Sequence, residues 1–279
     1  MSSISDVFDT KTDCLNGGSF SPFLFSFRSI KFKAEFRNPS GSSMDRVVAA
    51  WIKDNLDQRL LRTNDTIICP FGINRNRSLL QICPHFHLNS LHLIPENCPS
   101  RYKEWIELWG GRICSVPSVF KKYDYFREAT RLERNHPSYH VLSSYSTYQS
   151  LFEERIKENI SSSLKTIVTP LGFDNALPGI DFYAKTNPFT DVFGVILEDE
   201  RKAESVSTSL KGVIRVTKKE AEEMAKKFRK ERGFQIGLHS GAVLAATKSV
   251  IRNHSCHSEI IRILPDNTEN SLIQKALPF

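Results

Sequence analysis

Asn38-Pro39-Ser40-Gly41-Ser42-Ser43-Met44-Asp45-Arg46 sits at the junction from which the architecture of this chain can be read. Ahead of it, Ile30, Phe32, Ala34 and Phe36 alternate with Lys31, Lys33 and Glu35, the two-residue period of a half-buried strand. The stretch opens as a polar turn with a glycine. Asp45 then leads Val47, Val48, Trp51 and Ile52, apolar residues at helical spacing with an acid in the first turn. Strand, glycine turn and helix in that order form the repeating unit of α/β proteins.

The same grammar recurs outward from that unit. Thr66-Ile67-Ile68-Cys69 reads as a buried strand, a loop with Gly72 follows, and Ser90-Leu91-His92-Leu93-Ile94-Pro95 reads as the next strand. A helix through Tyr102, Trp105, Ile106 and Trp109 ends at Gly110-Gly111, before a strand at 112–116. Further strands are expected at 166–168, 191–197 and 213–216. Lys218 to Arg232 is expected to form a charged helix with Ala221, Met224, Ala225 and Phe228 facing inward and Gly233 as its stop. The alternation predicts largely parallel sheets. Residues 1–28 have no sustained period and read as an irregular arm; 29–279 read as the body.

Composition bounds the function classes. With 279 residues, 40% of them apolar and 25% charged, the chain can bury a core and is neither a fibrous nor a wholly disordered polymer. The net charge of +7 favours acidic partners without naming one. No run of about 18 apolar residues predicts a membrane span. The acidic start, with Asp6, Asp9 and Asp13, speaks against a secretory signal. Six scattered cysteines in a chain of this size fit a reducing, intracellular setting, cytoplasm or nucleus.

The nine residues at 38–46 resemble the cofactor-lysine segment of the cysteine synthase family, the fold-type II pyridoxal-phosphate enzymes that include O-acetylserine sulfhydrylases. That family reads Asn-Pro-Thr/Ser-Gly-Ser-x-Lys-Asp-Arg. Other segments resemble the family in the same order: Pro95-Glu96-Asn97, Trp109-Gly110-Gly111-Arg112-Ile113, Gly237-Leu238-His239-Ser240-Gly241-Ala242 and Ile263-Leu264-Pro265-Asp266. The resemblance spans residues 29–270. It implies a tryptophan synthase β-like fold: two α/β lobes with mostly parallel sheets and a cleft between them. The smaller lobe is expected at about 47–150, with the remainder forming the larger.

The departures carry the functional content. The family's lysine forms an imine with the cofactor aldehyde and moves protons at the substrate; the matching residue here is Met44, and a thioether does neither. The family's phosphate-cradling Gly-Thr/Ser-Gly-Gly-Thr matches Gly172-Phe173-Asp174-Asn175-Ala176-Leu177-Pro178-Gly179, which lacks the inner glycines that let backbone amides approach an anion. An Asp at about 4 Å from a phosphate costs about 4 kcal/mol per charge pair at an intermediate dielectric. The family's serine at the pyridine nitrogen is replaced by His239. Its substrate-carboxylate loop, Thr-Ser-Gly-Asn-Thr-Gly, matches Phe71-Gly72-Ile73-Asn74-Arg75-Asn76 and keeps only the Asn. Because a guanidinium pairs well with a carboxylate, Asn74 and Arg75 are candidates for a carboxylate or peptide terminus, against the plainer reading of Arg75 as a surface side chain.

Other constellations admit a functional and a plainer structural reading. Cys83, His85, His87, His92 and Cys98 invite a metal, but their spacing matches no zinc pattern, and structural roles are expected. Helix 218–232 interleaves Glu220, Glu222, Glu223 and Glu231 with its cations, which predicts i,i+4 pairing; a phosphate-binding role would need an uncompensated stripe. Trp105 and Trp109 are expected to pack in the core. The resulting expectation is a catalytically inactive cysteine synthase-like pseudoenzyme with no cofactor and no metal. It would act as a structural or regulatory protein-binding subunit, as a homodimer or in a hetero-complex. The alternatives are a residual or altered pyridoxal-phosphate-dependent lyase or transferase, and a nucleic-acid-associated protein using its basic surface.

Overall fold

The computed structural model describes residues 30–142, 164–171, 177–198, 209–254 and 259–270. The expected arm at 1–28 lies outside these residues. The chain divides into two compact units, one holding described residues 44–142 and the other 30–43 and 164–270.

The first unit opens with helix α1 (Met44–Asp57), which buries Met44, Val47, Val48, Trp51 and Ile52. It continues as β2 (Thr66–Cys69), α2 (Ile73–Ile82), β3 (Asn89–Pro95), α3 (Ser100–Leu108), β4 (Arg112–Val116), α4 (Lys122–Asn135) and β5 (Tyr139–Val141). These strands form a parallel sheet in the order β4-β3-β2-β5. Leu80, Ile94, Tyr102 and Ile106 pack α2 and α3 on one face. Ile68, Leu91, Leu93, Tyr125 and Ala129 pack α4 on the other. The chain thus winds outward from β2 through β3 to β4, then returns to place β5 on the opposite side of β2. In open α/β sheets, ligand crevices form at the carboxyl ends of the strands where the winding reverses. In this unit that point is the end of β2, where Gly72 precedes α2.

The second unit contains β1 (Ile30–Ala34), β6 (Leu164–Pro170), α5 (Leu177–Thr186), β7 (Asp191–Leu197), β8 (Gly212–Val216), α6 (Lys218–Arg232), α7 (Leu238–His254) and β9 (Glu259–Leu264). Its sheet, in the order β1-β9-β6-β7-β8, is also parallel. Phe32, Val168, Phe193, Phe228, Val243 and Leu264 build the core on the α6–α7 side. Ile167, Ile180, Val192 and Ile261 build the core on the α5 side. Helix α6 starts on a reciprocal cap: Thr217 Oγ1 accepts from Glu220 N at 3.1 Å, and Thr217 N donates to Glu220 Oε2 at 2.9 Å. It stops at Gly233 in the left-handed region, φ 76°. Among the described residues no helix is long and apolar enough to cross a membrane.

Three expectations change. β1 ends at Ala34 and a 3-10 turn, Glu35–Arg37, follows. Glu35 is buried there and accepts from Asn38 Nδ2 at 2.7 Å, so it does not lie on a solvent face. Asn74 and Arg75, expected in a loop, lie in the first turn of α2. Residues 177–179, at the tail of the expected glycine turn, already belong to α5.

Candidate functional site

The junction at 38–43 is held by its own polar atoms and by the segment after β9. Asn38 Nδ2 donates to Ser42 O at 3.0 Å, Ser43 N to Pro265 O at 3.0 Å and Asn267 N to Gly41 O at 3.0 Å. Gly41 has φ +81°, and a Cβ there would stand 1.9 Å from Asn267 Nδ2, so both conformation and space require glycine. Directly after this loop, Met44 begins α1 with its side chain fully buried. Asp45, also fully buried, accepts from Ser78 Oγ at 2.5 Å and ties the start of α1 to α2. Residue 44 is therefore fixed in place, and what stands there is a thioether with no proton to give or take and no amine to form an imine.

Asn74 and Arg75 occupy the start of α2, at the carboxyl end of β2. The helix N-cap is Gly72, which has no side chain to cap the first turn. Arg75 is only 5% exposed, which corrects the surface reading. Its stem lies against Gly72, and its guanidinium carbon sits 5.7 Å from the ring of Phe126 on α4. Its buried Nε has no hydrogen-bond partner. Arg75 thus places a buried cation at the start of α2, where the helix end is also positive, and among the described residues no carboxylate pairs with it.

Behind that turn runs a buried relay that pattern reading did not identify. His92 on β3 is fully buried, with Nδ1 3.0 Å from Asn76 Oδ1 and Nε2 2.9 Å from Ser90 Oγ, while Asn76 Nδ2 donates to Tyr102 OH at 3.0 Å. An amide oxygen only accepts, so the imidazole carries its proton on Nδ1 and accepts from Ser90 at Nε2. Burial holds the His92 pKa down to about 3, so the ring is neutral across the physiological range. Ser-His-Asn is the order of a nucleophile, base and orienting group, yet Ser90 is 95% buried. The relay instead ties α2 and α3 to β3. A period-two strand with one His among apolar residues gives no sign of which side chains will meet it.

The remaining candidate metal ligands serve separate roles. Cys83 caps α2, His87 is exposed in the left-handed region at φ 54°, and His92 is committed to the relay. Among the described residues no group of three or more His, Cys, Asp or Glu side chains gathers as a metal site would. Trp105 is half-buried, stacked on Tyr102 with ring centroids 5.9 Å apart. Trp109, however, is 46% exposed, because the helix ends at Leu108 and the ring lies past the core.

In the second unit, His239 and Ser240 open α7 beside Asp266. That carboxylate accepts from Ser240 N at 2.8 Å, Ser240 Oγ at 2.6 Å and His239 N at 3.3 Å, and His239 Nδ1 lies 3.5 Å from Oδ2. Asp266 therefore caps α7 from the end of β9. The Ser240 hydroxyl is fully buried and already spent on it. Gly172, Phe173, Asp174, Asn175 and Ala176 lie outside the described residues. Of the residues singled out in the sequence, Met44, Asn74 and Arg75 belong to the first unit and His239 to the second.

No protein-family model matches the chain. It is 24% identical over 267 residues to cysteine synthase B of Campylobacter jejuni, covering 86% of this chain and 89% of the relative. It is 23% identical to the O-acetylserine dependent cystathionine beta-synthase of Bacillus subtilis, covering 85% and 86%. Among solved structures, O-ureido-L-serine synthase superposes with a TM-score of 0.73 at 17% identity, covering 87% of this chain and 85% of that one. The O-acetylserine dependent cystathionine beta-synthase of Helicobacter pylori superposes at 0.71 and 19% identity, covering 87% and 88%.

Proposed function

Because this chain belongs to the cysteine synthase-like family and has the fold-type II architecture, we propose that it is a catalytically inactive member acting as a structural or regulatory protein-binding subunit. The observation that carries this reading is residue 44. The relatives are named for enzymes, and the family's segment has its imine-forming lysine where this chain buries a methionine. Pyridoxal phosphate would supply an electron sink to such a site, but the residues here do not fit it. There is no amine at 44, His239 stands in place of a serine hydroxyl, and the neighbouring Ser240 hydroxyl is bound to Asp266. No catalytic step is assigned to the chain.

The start of α2 supports the binding half of the proposal. Arg75, buried at the start of α2 with no hydrogen-bond partner for its Nε among the described residues, suits a carboxylate, and the terminal carboxylate of a peptide is the proposed ligand. Among the described residues, Cys69, Cys83, Cys98 and Cys114 form no disulfide.

Two measurements test this. Protein mixed with pyridoxal phosphate should show no visible aldimine band, and neither the natural chain nor Met44→Lys should make cysteine from O-acetylserine and sulfide; turnover by the natural chain would overturn the inactive reading, and turnover by Met44→Lys would refute the match of Gly172–Gly179 to the family's phosphate cradle. A peptide library displayed with free and with amidated C-termini should yield binders only in the free form, and Arg75→Gln should weaken them about tenfold or more. Equal binding of amidated peptides would refute the carboxylate site.

A further inference from the structure

Helix α6 carries a cationic stripe that its own carboxylates compensate only in part. Its carboxylates are largely engaged elsewhere. Glu220 is bound to Thr217 in the N-terminal cap, Glu231 lies 3.6 Å from Lys227, and Glu222 is only half exposed and has a partner of its own. Among the described residues, Lys219, Lys226, Arg229 and Lys230 are exposed and form no ion pair. Positions 219, 226 and 230 fall on one side of a 3.6-residue helix, with 229 alongside. Glu223 is exposed near the N-terminal half of this side. Residues 226–232 hold five cations and one carboxylate, an excess of four where the whole chain has +7.

The helix dipole does not account for this arrangement. It rewards cations in the last turn by about 0.3–1 kcal/mol, and Lys219 and Lys226 lie before that turn. A membrane surface also fits poorly, because an interfacial helix needs apolar side chains beside its cations. Here Ala221 and Phe228 are buried, and Met224 and Ala225 pack against the core. The outer face carries charge alone. The eleven helical steps from 219 to 230 span about 16 Å, about the length of five phosphates along one strand of a duplex.

We infer that the outer face of α6 binds the phosphate backbone of nucleic acid without reading its bases, through Lys219, Lys226, Arg229 and Lys230. Among the described residues no exposed aromatic ring lies on this face to stack a base, so duplex, with its higher charge density, binds at least as well as a single strand.

The test is fluorescence anisotropy of the full chain with a fluorescein-labelled 20-base-pair duplex, its single strand, and, in parallel, sedimentation with phosphatidylserine vesicles. Four phosphate contacts predict a log–log salt slope of about −3 to −4, a loss of about a hundredfold between ~50 and ~200 mM salt. The triple variant Lys226→Gln, Arg229→Gln, Lys230→Gln should reduce the slope to about −1 and weaken binding at least tenfold at ~50 mM salt. Circular dichroism melting checks that the variant is folded; a second triple variant, Lys53→Gln, Lys103→Gln, Lys185→Gln, removes the same charge elsewhere and should change binding less than threefold. No binding at ~100 μM protein and ~50 mM salt overturns the inference. So does equal weakening by both triple variants, or tighter binding to the vesicles than to the duplex.

Discussion

Replacing Arg262 with Met should stabilise the protein. Arg262 lies mid-strand in β9, in register with Phe32 of β1 and Val168 of β6, and is 5% exposed. Its Nε and Nη1 are buried without a hydrogen-bond partner, and its guanidinium carbon lies 5.0 Å from the centre of the Phe32 ring. Burial lowers the guanidinium pKa from its ordinary value to about 10, a penalty of about 3 kcal/mol for the charged form. Loss of the ring contact returns about 1–2 kcal/mol of that, and an unbranched thioether fills a similar volume. The net expectation for Arg262→Met is a gain of about 1–2 kcal/mol, read as a higher urea midpoint followed by far-ultraviolet circular dichroism at neutral pH. The pH dependence adds a second check. Below about pH 10 the guanidinium is charged in both states and the penalty is complete. Above about pH 10 the unfolded chain binds more protons than the folded one, so the natural protein gains stability and the gap between the two proteins narrows. Destabilisation by more than about 1 kcal/mol, or a gap that stays constant from pH 9 to 11, would refute the reasoning.

His92 titrates with the opposite practical consequence. Its folded pKa of about 3 against an ordinary 6.5 means that the unfolded state takes up the proton first, so stability present above pH 6.5 is lost as pH falls toward 3, by about 4–5 kcal/mol in all. Acid denaturation of His92→Leu should have a shallower slope across that window, and an unchanged slope would show that the ring is not the titrating group. Gly41→Ala should lower stability by more than about 2 kcal/mol, since it meets both a positive φ and Asn267; a change within 0.5 kcal/mol in a urea melt would contradict the packing of that loop. Asp266→Ala removes the acceptor for Ser240 N, Ser240 Oγ and His239 N and should cost about 2–3 kcal/mol. Hydrogen exchange should then speed up at the first turn of α7, and unaltered exchange there would argue against the cap.

Local chemistry made much of this chain legible in one dimension. The run Thr66–Cys69, the Thr217–Glu220 cap and the Gly233 stop each contain their own instruction, because β periodicity, capping and left-handed backbone are settled among residues a few positions apart. The same holds for Met44: no fold can turn a thioether into an amine. What tertiary structure alone decided were the partnerships between distant residues. Arg75 reads as a surface side chain until α4 brings Phe126 over it, and Glu35 as the polar side of a strand until a 3-10 turn buries it against Asn38. His92 finds Ser90 two residues away but Asn76 and Tyr102 on separate helices. On α6 the sequence places acids within reach of bases, yet caps, neighbouring elements and rotamers determine which charges are matched, and Lys226, Arg229 and Lys230 are left facing water. Side-chain type is inherited from the chain, whereas burial and pairing depend on which surfaces the folded backbone brings within a few ångströms of one another.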